Sequence, residues 1–142
     1  MSAPPGPLLI AAAAGLLALL GALHLVYTYR GPKLLPRDPA TQAQMRGDTL
    51  RLSRQTTVWN AWIGFNASHG LGLLLFGALY GYFALWHADW LAQSLFLRAA
   101  GLVVLACYAV LARLHWFRIP LAGALLALAL YAVGLALTPS LP

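Results

Sequence analysis

The chain has 142 residues, 61% of them hydrophobic and 8% charged, and sets nine Lys and Arg against three acidic residues for a net charge of +6. A soluble domain is about half apolar and about a quarter charged, so this composition excludes an ordinary water-soluble fold and predicts lipid as the solvent. The basic residues lie between apolar runs without an aromatic-basic platform, which points to membrane topology and anionic headgroups rather than to nucleic acid.

Four stretches reach the roughly 18 apolar residues that a spanning helix needs: 8–29, 58–86, 94–114 and 120–137. They predict an all-α, polytopic transmembrane four-helix bundle that makes residues 1–142 a single integral membrane domain. The first stretch follows "MSAPPGP", which lacks the basic n-region of a signal peptide, so it reads as a retained helix.

The connection 30–57, "RGPKLLPRDPATQAQMRGDTLRLSRQTT", carries Arg30, Lys33, Arg37, Arg46, Arg51 and Arg54, and Arg113 and Arg118 flank the turn at 115–119. The positive-inside rule places both connections in the cytoplasm of a cell with its inner membrane, and both termini outside, in the periplasm. Trp59, Trp62 and Trp116 then mark the cytoplasmic boundary, and Trp86 and Trp90 the outer one, as an aromatic belt would. Within the long loop, Asp38-Pro39 predicts the cap and first residue of a helix. Asp48, after Gly47, predicts the cap of a second helix running into the span 58–86. Arg46, Arg51 and Arg54 are expected to face lipid phosphate.

The second span contains an unusual run, "FNASHG". On a helical wheel Gly64, Ser68 and Gly72 form one small-residue stripe, repeated by Gly77 and Gly81, which suits close helix packing. A neighbouring stripe holds Trp62, Asn66, His69, Leu73 and Tyr80, and its polar members should face the bundle interior because lipid offers them no partner. At 1.5 Å rise per residue, His24 in the first span lies about 8 Å below the cytoplasmic boundary, Asn66 about 13 Å and His69 about 17 Å. These depths predict a meeting of His24 with Asn66, in a polar pocket lined by His24, Asn60, Asn66, His69 and Tyr27. The roughly 9 Å between the two histidines argues against a shared haem.

Pro120 is expected at the first position of the fourth helix. Arg98, early in the third, is expected to snorkel outward or to pair with Asp89; turned inward it would mark an anion site. Cys107 is the one cysteine, which rules out an intrachain disulfide, and "VVLACYAVL" suggests a buried small side chain.

No acid-base pair, nucleophile constellation or metal-ligand cluster is legible, so no catalytic or metal-binding residue, no cofactor and no enzymatic activity are expected. Three functions are compatible with the sequence. The first is binding of a small amphipathic ligand, a lipid or quinone, in the pocket between the first two spans. The second is an accessory role, with the Gly64/Ser68/Gly72 face docking a partner subunit or another copy of the chain. The third is proton-coupled transport, in which His69 would carry the proton because no span holds a carboxylate.

With "WNAWIGFNASHGLG", "FGALYGYFAL" and "HWFRIP", the chain resembles a family of small four-helix bacterial inner-membrane proteins of uncharacterised function. That resemblance implies the four-span topology and brings no activity, cofactor or site residue.

Overall fold

The computed structural model of the protein describes residues 4–138. Its elements in chain order are α1 (Pro5–Tyr29), α2 (Pro39–Gly47), β1 (Thr49–Leu50), β2 (Ser53–Thr57), α3 (Val58–Trp86), α4 (Ala88–Gln93), α5 (Leu95–His115) and α6 (Arg118–Ala136). The helices α1, α3, α5 and α6 are each long and apolar enough to cross a membrane. In their most apolar windows only 22% to 33% of residues are buried by the protein, and each helix carries an exposed apolar face. Those outward faces carry Leu19, Leu75, Val110 and Val133, a surface that suits lipid.

Local chemistry explains most helix ends. Pro5 and Pro7 open α1, where the first N–H groups have no intrahelical acceptor to lose. Beyond Tyr29, Gly31 takes a left-handed conformation (φ 81°) that stops the helix. Ser94 caps α5 by accepting from the Leu97 N–H at 3.2 Å. Pro120 stands third in α6 rather than first; α6 starts two residues earlier because any of its first N–H groups is expendable. The expected outward termini, 1–3 and 139–142, lie outside the described residues.

The connection between α1 and α3 departs from expectation. Asp38 does cap α2: its Oδ1 accepts from the Ala40 N–H and its Oδ2 from the Thr41 N–H, both at 3.1 Å. The bonds from Ala40 and from the Thr41 hydroxyl and N–H hold the Asp38 carboxyl below its ordinary range. Asp48, however, ends α2 instead of starting a helix, and a short antiparallel hairpin of β1 and β2 follows. The β-branched Thr56 and Thr57 before α3 favour extended backbone. The Thr57 hydroxyl accepts from the Asn60 N–H at 3.1 Å and takes over the capping of α3.

The described chain forms two compact units. One runs up to Leu20 and resumes at Leu73; the other is Gly21–Gly72. In the first, glycines set the approach of α1 to its neighbours. A Cβ at Gly77 would lie 2.7 Å from the Ala14 carbonyl oxygen, and one at Gly134 would lie 2.9 Å from that of Gly6. Ile10, Leu17, Phe76, Leu105 and Tyr131 fill the core there. In the second unit, a Cβ at Gly70 would meet Leu25 Cγ at 2.7 Å and the Gly21 carbonyl oxygen at 3.2 Å. Close backbone approaches of this kind are how helices associate where lipid supplies no hydrophobic drive between them.

Candidate functional site

Gly70 brings α1 and α3 together at the level where the histidines stand. His24 donates from Nε2 to Asn66 Oδ1 at 3.1 Å, and Asn66 donates from Nδ2 to the Trp62 carbonyl, one turn back, at 2.9 Å. The rings of His24 and His69 meet edge to face, with centroids 4.8 Å apart. All three side chains are half-buried. Below His24, the Thr28 hydroxyl donates to the His24 carbonyl at 2.8 Å, which satisfies a buried polar group within its own helix.

The contact between the two histidines overturns their expected difference in depth. That difference was measured from each helix's own end, as though the ends were level. Gly70 stands opposite Gly21 and Leu25, so Tyr29 falls opposite about residue 64. The first turn and a half of α3 then runs ~9 Å past the end of α1, which removes the apparent offset.

The remaining expected pocket residues lie toward the helix ends. Tyr27 accepts from Lys33 Nζ at 3.0 Å, and the ammonium also sits 4.2 Å from the centre of its ring. Asn60 is exposed in the first turn of α3. Nearby, the Arg46 guanidinium lies 4.3 Å over the Trp59 ring, and Trp59 stacks on Trp62. Arg30, Arg37, Arg51 and Arg54 are exposed, as is Leu52 at the hairpin tip.

The small residues divide. Gly70 and Gly77 are the positions in α3 where a side chain would collide with α1, while a Cβ on Gly81 would make ordinary contact with Ala14 at 3.7 Å. Gly64 has open space around it, and Ser68 is exposed with its hydroxyl turned back to the Phe65 carbonyl at 3.0 Å. Gly72 is half-buried. The Gly64/Ser68 face is therefore uncovered within the chain, whereas Gly70, which the four-residue spacing missed, lies against α1.

Two further polar arrangements stand in the other unit, and neither was visible in the sequence. Tyr80 donates to the Leu97 carbonyl at 2.8 Å, and Tyr131 reaches the same oxygen at 3.3 Å, over Gly101, where any side chain would strike Tyr131. Tyr80 shares the helical stripe of Asn66 and His69, but nothing in the sequence ties Tyr131 to Leu97. Arg98 turns inward and donates to the carbonyls of Ala92 (3.3 Å), Leu135 (3.3 Å) and Thr138 (3.2 Å). It closes the C-terminal ends of α4 and α6, where the helix dipole favours a cation and the last carbonyls lack intrahelical donors. Its hydrogen bonds among the described residues go to backbone oxygens rather than to Asp89.

Cys107, expected inside, is exposed on α5. Its apolar neighbours did not signal burial, because a lipid-facing surface is as apolar as a core. Among the described residues no three His, Cys, Asp or Glu side chains gather as a metal site would require.

Comparison of the chain with protein-family models, with curated proteins and with solved structures finds no match. The functional reading therefore rests on the residues themselves.

Proposed function

We propose that this is a multi-pass inner-membrane protein, folded as a four-helix transmembrane bundle, that holds the polar head of a small amphipathic molecule at His24, Asn66 and His69. The molecule belongs to the lipids or quinones. The basic connection 30–57 and the turn 115–119 face the cytoplasm, the termini face the periplasm, and the exposed arginines of the loop meet anionic headgroups. The observation that carries this reading is the His24–Asn66–His69 cluster: three polar side chains, in contact yet only half-buried, inside otherwise apolar helices. Polar groups are costly to place in apolar helices, and a half-buried cluster of them presents an incoming polar head with hydrogen-bonding groups in an otherwise apolar setting.

A native mass spectrum of the detergent-purified protein tests the reading. A reproducible non-protein adduct, diminished in His69→Ala and Asn66→Ala, is the expected result. The same adduct in both variants, or none in the native chain, counts against it.

A second reading has its own observation. The open space at Gly64 and the exposed Ser68 leave a small-residue face uncovered on α3, which suits an accessory role beside a partner helix or another copy. Crosslinking in membranes should then lose a product in Ser68→Leu. Proton-coupled transport by His69 is the third reading, and transport unchanged in His69→Ala would eliminate it.

A further inference from the structure

The Trp62 carbonyl has no hydrogen to give, so the Asn66 atom 2.9 Å from it is the amide nitrogen, and the amide's orientation follows. The Asn66 oxygen then faces His24 and only accepts. The hydrogen of that 3.1 Å bond therefore sits on His24 Nε2. In a neutral imidazole the other nitrogen, Nδ1, is left unprotonated, with a lone pair to offer. Asn66, held by the backbone of its own helix, thereby sets which nitrogen of His24 accepts.

We propose that this pair selects ligands bringing a hydroxyl donor and discriminates against those bringing only acceptor oxygens. The inference rests on the reading that the cluster holds an amphipathic molecule, and it narrows the class. A carbonyl aimed at Nδ1 sets lone pair against lone pair, and surrounding lipid has no hydrogen-bond donor to relieve it. A hydroxyl makes a hydrogen bond there. Among quinoid compounds the favoured member is the hydroquinone; among lipids it is one with a free hydroxyl head. Asn66 is a positioning residue in this scheme, since it acts through His24.

The test uses the full chain in nanodiscs, with ¹⁵N-labelled histidine, and five probes. These are a decyl hydroquinone, its dimethyl ether, the corresponding quinone, a monodecanoyl glycerol and that lipid's di-O-methyl ether. The nitrogen resonances of His24 should report a proton on Nε2 in the free protein. One free-hydroxyl probe should bind about tenfold or more tightly than its ether, the cost of leaving a polar group unpaired, and should move the Nδ1 resonance. If it is the hydroquinone, it should also outbind the quinone by a similar factor. Whichever probe does so identifies the source of the hydroxyl. Asn66→Ala should bring the ratio toward one by releasing the tautomer. A proton found on Nδ1, or a quinone or ethers that bind as tightly as the free hydroxyls, overturns the donor rule and leaves the ligand-binding reading standing. Binding of none of the five overturns both.

Discussion

The two units meet the same difficulty, polar side chains inside apolar helices, in different ways. In the unit that holds α5 and α6, Tyr80, Tyr131 and Arg98 all donate to backbone carbonyls. Those acceptors are main-chain groups and cannot leave. In Gly21–Gly72, the bond that crosses between helices runs from side chain to side chain, His24 to Asn66, beside a ring contact with His69. Side chains change rotamer, and their bonds can be exchanged for others. The comparison teaches where permanence and exchange lie: the backbone-anchored network fastens helices, and the His–Asn–His cluster joins them through side chains that can change rotamer, which is why the proposed ligand is placed there.

Arg98→Met should give the largest effect. Loss of charge-assisted bonds to three carbonyls is expected to cost about 2–3 kcal/mol, read as a lower thermal midpoint in detergent. A variant as stable as the native chain would mean that the carbonyls find other donors, and the contrast between the units would weaken. Tyr131→Phe removes one hydroxyl while keeping the ring, for about 1–2 kcal/mol. Its effect should persist whether or not lipid extract is added.

A double-mutant cycle of His24→Ala and Asn66→Ala comes next. Interhelical polar pairs in membranes average roughly 0.6 kcal/mol, with a maximum near 1.7, and the coupling here should fall in that range. Added ligand should enlarge it, whereas a cycle on Tyr80 and Tyr131 should not respond. Equal responses in both units would break the distinction drawn here.

The smallest expected change concerns Asp38, which caps α2 in the second unit. Its carboxyl is held below the ordinary value of about 3.9 by the bonds from Ala40 and Thr41. A depressed carboxyl contributes stability that is fully present above its unfolded value and is lost as the pH falls through the folded one. Protection of the Ala40 and Thr41 amides, taken relative to their intrinsic exchange rates, should therefore hold at neutral pH and fall only below the ordinary carboxyl range. Asp38→Asn should remove that acid dependence.

Much of this was legible in local sequence. The four long helices follow from runs of apolar residues, and α3 covers Val58–Trp86 as its hydropathy predicted. The α2 cap followed from Asp38-Pro39, because capping is settled within four residues. The meeting of His24 with Asn66 was expected from their polar character on neighbouring spans, although the depth count beside it took the helix ends as level. What the chain could not reveal by itself was register and face. The overhang of α3 beyond α1, which lets His69 touch His24, depends on where Gly70 seats against Gly21 and Leu25. The inward turn of Arg98, the outward position of Cys107 and the division between Gly70 and Gly64 were decided by tertiary packing too. The physical reason is common to all of them. In water, a polar face marks the outside of a helix; where inside and outside are equally apolar, as they are here, hydropathy records that a helix is long and apolar enough to span and is silent about which side meets its neighbours.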